Sequence, residues 1–289
     1  AEGGLVHVCN LCSINFANLD IDKELESVCK TSVEILDTAI GLTDVPIPEG
    51  KAHNKRYRTI GVGVMGLADH LAKNNILYSE SANYIDKLFE KFALYNVKAS
   101  IEIAKIKGPF DAYKGSDWDR GIILGHDYKW FKENAQHPEE WQEVFENLKK
   151  YGIRNSQLSA IAPNTSTSLL QGCTASILPV YSKFFIDTHT KGSIPNCPPF
   201  IKDKFWYYQE NKNLDQTIVV DIVSRISKWI DTGVSMELIY NLNNGVTARI
   251  IYESIIKAWK QEVKTIYYTR SVQQDGYVTS KEECVSCAS

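Results

Sequence analysis

The sequence predicts an α/β fold built on parallel strands. Three observations carry this reading. Short apolar runs at 59–64, 157–162 and 263–269 have strand length, longer stretches between them place apolar residues at helical spacing, and the two kinds alternate along the chain. At 289 residues, with 44% apolar and 23% charged side chains, the composition is that of a globular protein with a sizeable buried core.

The first helix is expected over 22–40, where Leu25, Val28, Cys29, Val33, Leu36 and Ile40 share a face, Asp20 or Asp22 stands at the cap position and Gly41 at the end. Val45-Pro-Ile-Pro48 and a basic linker from Lys51 to Arg58 lead into Thr59-Ile-Gly-Val-Gly-Val64, which reads as a buried strand turning into a helix at 66–74. The longest helix is predicted at 81–107, with Tyr84, Leu88, Phe92 and Tyr95 on one side and Gly108-Pro109 as its stop. Residues 109–137 read as a surface excursion and 138–150 as a short helix. A strand over Gln157–Ala162 is followed by the polar run Asn164-Thr165-Ser166-Thr167-Ser168, a further short strand is expected at 176–181, and 187–213, rich in Pro, Asn and Lys, reads as loop. Amphipathic helices at 216–231 and 247–261 precede the last strand, 263–269, which carries Tyr267-Tyr268. From Ser271 onward no period is visible and the composition is that of a flexible tail.

Charge excludes some function classes. The net charge is -3, from 32 basic and 35 acidic side chains, so nothing recruits nucleic acid or an anionic membrane non-specifically. No apolar run reaches membrane-spanning length, and Ala-Glu-Gly-Gly at the start has neither the basic nor the apolar part of a signal peptide, so a cytoplasmic protein is expected. Seven cysteines, an odd number scattered from Cys9 to Cys287, suit reduced or redox-cycling thiols better than a secreted disulfide framework.

Four local patterns carry chemistry, each with a plainer reading beside it. Gly61-Val-Gly-Val-Met-Gly66 matches a dinucleotide-binding fingerprint but lacks the second strand and acidic residue that should follow, so tight packing of strand and helix is the preferred reading. The run Pro163–Ser168 opens a helix after a strand. Its hydroxyls and free N–H groups suit either a phosphate or an ordinary cap. Cys9-Asn-Leu-Cys12 and Cys284-Val-Ser-Cys287 could together form a four-thiolate zinc site, or the second pair could be a dithiol carried on a mobile tail. Adjacent phenols at Tyr267 and Tyr268 can pass a hole if each loses its proton on oxidation, although aromatic residues are also simply favoured in strands.

Taken in order, Val6-His-Val-Cys9-Asn-Leu, Val45-Pro-Ile-Pro48, Arg58-Thr-Ile-Gly-Val-Gly-Val64, Tyr78-Ser79, Arg154-Asn-Ser-Gln-Leu-Ser-Ala160, Pro163–Ser168, Val263-Lys-Thr-Ile-Tyr-Tyr268 and the terminal cysteine pair resemble the C-terminal part of the large (alpha) subunit of class I ribonucleotide reductase. The resemblance implies an α/β fold that is the C-terminal half of a ten-stranded barrel over 1–270, with a redox tail at 271–289. It also implies reduction of ribonucleoside diphosphates to deoxyribonucleotides by thiyl-radical chemistry. Carried over by residue, Cys9 is one of the pair oxidised to a disulfide. Asn164, Thr165, Ser166, Thr167 and Ser168 bind the substrate diphosphate. Tyr267 and Tyr268 relay the radical, and Cys284 and Cys287 re-reduce the site and are recharged by thioredoxin or glutaredoxin. No cofactor is expected on this chain, since the metal-radical cofactor belongs to a partner small (beta) subunit.

One departure matters. Asn10-Leu-Cys12-Ser-Ile14 imitates the family's Asn-x-Cys-x-Glu radical loop, but Ile14 stands where the carboxylate should be, so Cys12 is read as a decoy. The radical cysteine, the partner of Cys9 and the allosteric specificity site are then expected on an N-terminal polypeptide. The chain, which begins with Ala rather than Met, is read as the product of a split gene or as a piece of a longer subunit. The alternative from another class is a non-catalytic zinc- or redox-responsive binding protein built on the two Cys-x-x-Cys pairs, and a nicotinamide-dependent oxidoreductase using Gly61 to Gly66 is a further one.

Overall fold

The computed structural model describes residues 4–189 and 192–273. In chain order these give β1 (Leu11–Asn15), α1 (Ile21–Leu42), α2 (Pro48–Tyr57), β2 (Gly61–Met65), α3 (Leu67–Lys73), α4 (Ala82–Lys107), α5 (Tyr128–Asn134), α6 (Pro138–Tyr151), α7 (Thr165–Gln171), β3 (Phe185–His189), β4 (Gly192–Asn196), α8 (Ile201–Lys204), α9 (Gln216–Ser227), β5 (Glu237–Asn241), α10 (Ala248–Lys260) and β6 (Tyr268–Val272).

Parallel pairing organises the strands, as the alternation of strands and helices predicts. Leu11 to Asn15 of β1 lie opposite Gly61 to Met65 of β2. The other edge of β2 takes residues 157–161, with Val62 N donating to Leu158 O (2.7 Å) and Ala160 N to Val62 O (3.1 Å). That segment pairs in turn with 232–235, through Ile161 N to Gly233 O (3.1 Å) and Ser235 N to Ile161 O (3.0 Å). The same segment runs on into β5, which pairs in parallel with β6 from Glu237–Tyr268 to Asn241–Val272. Parallel segments therefore follow one another in the order β1, β2, 157–161, 232–241, 268–272.

Alternation along a strand sends successive side chains to opposite faces. Ile14, Val62 and Val64 join Leu25, Cys29 and Val33 of α1 and Phe89 and Phe92 of α4 in the main core. Leu11 and Gly61 face the other way, into a cleft. The helices end where the sequence stops them: α4 at Gly108 (φ 78°) and α9 begins at Asp215, whose carboxylate accepts from Thr217 N at 2.9 Å.

A buried carboxylate ties the distant segments together. Asp37 of α1 is fully buried, and its Oδ1 lies 2.7 Å from Arg58 Nε and 3.4 Å from Arg154 Nε, with Lys107 Nζ 3.3 Å from Oδ2. Asn155 Nδ2 donates to the same carboxylate at 3.3 Å. Burial opposes the charge on Asp37, but the Arg58 hydrogen bond and the three cations outweigh it and hold the carboxyl below its ordinary range.

Several expectations are corrected. The basic linker at 51–58 is the helix α2, started by Pro48 in its first turn and closed by Arg58 in the left-handed region (φ 48°, ψ 43°), which aims that guanidinium at Asp37. The excursion at 109–137 contains α5 and buries Trp118 and Phe131, with Trp118 Nε1 donating to Ser156 O at 2.9 Å. Residues 157–162 and 176–181 make isolated bridges rather than regular strands, at Val62–Ser159, Ile161–Val234 and Val180–Glu210. The loop at 187–213 holds most of an antiparallel hairpin, β3–β4, and the short α8. β5 was not anticipated, although Glu-Leu-Ile-Tyr-Asn is buried almost throughout. The last strand begins at Tyr268 and runs to Val272 rather than spanning 263–269.

Candidate functional site

A cleft of about 510 Å³ lies along the face opposite the helices. Its wall brings together Cys9, before β1, Pro163, at the end of the third segment, and Tyr267, at the entry to β6. Residues more than 250 positions apart in sequence thus share one space. Cys9 is exposed and carries a free thiol.

Cys12 takes the opposite side. Three residues from Cys9, it turns toward α1, where burial pushes its thiol up in pKa although a hydrogen bond with Ser32 works the other way. Burial also raises Cys29, which lies near it. Neither is poised as a nucleophile. The arrangement separates the two thiols that a four-cysteine zinc site would need on one side. Among the described residues no three His, Cys, Asp or Glu side chains converge on a metal-sized point.

Tyr267 and Tyr268 are half-buried, with ring centroids 4.2 Å apart and planes at 60°. Both backbone N–H groups point at Met236 O, at 2.8 and 3.3 Å, which fixes the turn of the chain between the two rings. Tyr267 faces the cleft, while the Arg270 guanidinium sits 4.5 Å from the centre of the Tyr268 ring. The strand is therefore half-buried, its residues alternating between partly covered and exposed. One phenol looks inward and its neighbour lies under a cation that Glu237 pairs at 3.3 Å.

At the far end of the third segment Asn164 turns the chain into α7 with φ 58° and ψ 25°. Thr165, Ser166 and Thr167 are exposed, Ser168 is buried, and Ser168 Oγ donates to Thr165 O at 3.0 Å. The first N–H groups of a helix have no partner within it, so this turn presents donors and hydroxyls together. Cys284 and Cys287 lie outside the described residues.

The fingerprint glycines serve packing. A Cβ on Gly61 would come within 2.4 Å of the Leu11 side chain, and one on Gly63 within 2.4 Å of Ala160 O, so both permit neighbouring strands to approach. At the start of α3, Gly66 N and Leu67 N donate to Thr174 O (2.8 Å) and Ser176 O (3.4 Å), and donors used in this way are not offered to a pyrophosphate. The close contact is strand to strand rather than strand to helix.

Sequence reasoning missed Asp231. Its carboxylate accepts from Leu158 N (2.6 Å), Ser159 N (2.8 Å) and Ser159 Oγ (2.9 Å), clamping the third segment to the fourth beneath the cleft. Burial raises its pKa against these hydrogen bonds and the nearby Lys264. An acid directly after the apolar end of a helix, Trp229-Ile230-Asp231, was the available signal.

The fold is that of an α/β protein whose parallel segments place a thiol, Cys9, and a phenol, Tyr267, on one cleft. The chain belongs to the ribonucleotide reductase family: residues 3–204 and 186–269 match the model of the ribonucleotide reductase barrel domain. It is 47% identical over 293 residues to a ribonucleoside-diphosphate reductase subunit alpha of Synechocystis, covering 98% of this chain and 38% of that protein. The subunits of the same name from Helicobacter pylori and Bacillus subtilis are 31% and 30% identical over 99% of this chain, which spans 38% and 42% of them. The chain thus spans about two fifths of the length of these relatives.

Proposed function

We propose that the chain is the C-terminal part of a class I ribonucleoside-diphosphate reductase large subunit, active only with an N-terminal polypeptide and a radical-generating small subunit. The observation that carries the reading is the shared cleft of Cys9 and Tyr267, whose wall also includes Pro163, the residue before Asn164. The parallel segments β1, β2, 157–161, 232–241 and 268–272 would be five of the barrel's ten strands, the N-terminal polypeptide supplying the rest.

Each residue then has a chemical task. The diphosphate of the substrate seats on the turn from Asn164 to Ser168, where the exposed hydroxyls of Thr165, Ser166 and Thr167 and the first helix N–H groups stabilise negative charge, while buried Ser168 braces the turn. Tyr268 and Tyr267 pass an oxidising hole inward, each losing and regaining its phenolic proton. The hole originates in the small subunit, whose metal-radical cofactor supplies it. A thiyl radical of the N-terminal polypeptide abstracts the ribose hydrogen and returns one at the end. The 2′-hydroxyl leaves as water, a C–H bond replaces the C–O bond, and the two electrons come from Cys9 and its thiol partner, which become a disulfide. Exchange with the Cys284–Cys287 dithiol restores the thiols, and thioredoxin or glutaredoxin recharges the tail.

The surface beside the relay supports a subunit partner. Tyr252, Ile255 and Trp259 form an exposed apolar stripe on α10, the helix that leads directly to Tyr267, and Trp259 is 74% exposed. The reading is tested by reconstitution. The purified chain with a small subunit alone should show no turnover, and addition of the N-terminal polypeptide should restore it. Turnover without that polypeptide would overturn the proposal and return Cys12 to consideration.

A further inference from the structure

The glycine fingerprint and the polar run after Pro163 meet at one side chain that neither motif contains. Ser13 of β1 points to the cleft side of the sheet, and its Oγ donates to Asn164 Oδ1 at 3.0 Å across 151 positions of sequence. Asn164 Nδ2 donates to Ala162 O at 3.0 Å and to Val64 O at 3.3 Å. The side chain of Asn164 is therefore held by β1, by the end of β2 and by the third segment at once.

This use of an asparagine at a helix start is unusual. Asn at the N-cap ordinarily accepts from an N–H of the first turn, and here it makes no such bond. Its oxygen is committed to Ser13 instead. The left-handed backbone at Asn164, a conformation that few L-residues adopt readily, is secured by these side-chain bonds. The first-turn donors behind it are left for something else.

Gly63 supplies the room. A Cβ at that position would lie 3.2 Å from Ser13 Oγ as well as 2.4 Å from Ala160 O, so a side chain there would displace both the hydroxyl and the segment that carries Asn164. The second glycine of the apparent nucleotide fingerprint is thus part of the seat of the polar run.

We propose that Ser13 is a positioning residue for substrate binding: it fixes the Asn164 side chain, and through it the backbone that aims Thr165, Ser166 and Thr167 at the substrate's phosphates. The inference rests on the phosphate-binding reading of that run. It adds a residue on β1 whose own side chain need not touch substrate.

The test uses the assembled reductase, with nucleoside diphosphate as substrate and inorganic pyrophosphate as competitor. Ser13→Ala should raise KM and the pyrophosphate inhibition constant together by about five- to tenfold, the scale of one lost hydrogen bond. The loss should fall on KM rather than kcat, since the interaction lost is one of binding. Ser13→Thr, which keeps the hydroxyl on a strand, should restore both constants. Asn164→Gly, which tolerates the left-handed backbone but removes the latch, should weaken binding at least as much, and Ser13→Ala should add nothing to it. Thermal unfolding of each variant checks that the fold survives. If Asn164→Gly weakens pyrophosphate inhibition but Ser13→Ala does not, or if the two effects add in full, the positioning role is wrong and the phosphate reading stands. If neither variant changes pyrophosphate inhibition, the phosphate reading itself fails.

Discussion

The rings of Tyr267 and Tyr268 stand 4.2 Å apart, yet the first faces the cleft and the second lies against Arg270. Phe at either position keeps ring, volume and strand preference while removing the proton that reversible oxidation needs. In the reconstituted complex Tyr267→Phe and Tyr268→Phe should each reduce turnover to background. Stability should change by no more than about 1 kcal/mol, because only a hydroxyl is lost. Substantial activity in both variants would make the pair ordinary packing.

Thiol labelling separates Cys9 from its neighbours. In the folded chain Cys9 should alkylate readily, whereas Cys12 and Cys29, raised by burial, should react at comparable rates only after denaturation. After turnover without external reductant, peptide mapping should find Cys9 in a disulfide with a cysteine of the N-terminal polypeptide. A Cys9–Cys12 disulfide would contradict the opposite facing of the two side chains.

For the tail, Cys284→Ser or Cys287→Ser should abolish turnover driven by thioredoxin or glutaredoxin while leaving activity with a small diffusible dithiol. Equal loss with both reductants would assign these cysteines a structural or metal-binding role.

The α10 stripe predicts a binding defect without a folding defect. Trp259→Glu should weaken association with the small subunit at least tenfold, measured by titration, with the unfolding transition of the chain unchanged. Unaltered affinity would place the contact elsewhere.

The Asp37 cluster predicts a pH response. Its folded pKa is depressed, so its stabilising contribution is full above about pH 4, the ordinary carboxylate value, and is lost as pH falls through the folded value. Asp69, buried on α3 where it accepts from Thr174 N and Tyr208 Oη, and Asp231 are both raised by burial and act in the opposite sense: what they contribute is full below the unfolded value and lost as pH rises through the folded one. Asp37→Asn should cost about 3 kcal/mol at neutral pH, because it leaves the partly buried guanidiniums of Arg58 and Arg154 without their counter-charge. Below pH 4 the variant should lose stability less steeply than wild type in denaturant titrations.

Helices with long periodic faces were legible in the sequence because their signal is repeated: α1 and α4 lie within two residues of their expected bounds. The third segment and the stretch before β6 were less so, since they are held by a few hydrogen bonds from neighbours and by Asp231 rather than by a continuous ladder. β5 was missed because its burial depends on α9 and β6, which a local window does not see. At the site, Cys9, Asn164 and the tyrosines stood out through an ordered family resemblance. Ser13 carried no local signal at all, because its partner lies 151 residues away.

Among the described residues β1 has a strand neighbour on one side only, and Leu11, leaning over Gly61, remains 48% exposed. A parallel sheet is ordinarily covered on both faces. Any polypeptide that covers this edge and the cleft wall binds the folded chain and not the unfolded one, and by mass action it adds RT ln(1 + [L]/Kd) to the unfolding free energy, about 2.7 kcal/mol at a hundredfold excess over Kd. In the presence of such a polypeptide the melting temperature of this chain becomes a function of that polypeptide's concentration, and a value measured on the chain alone is a lower bound.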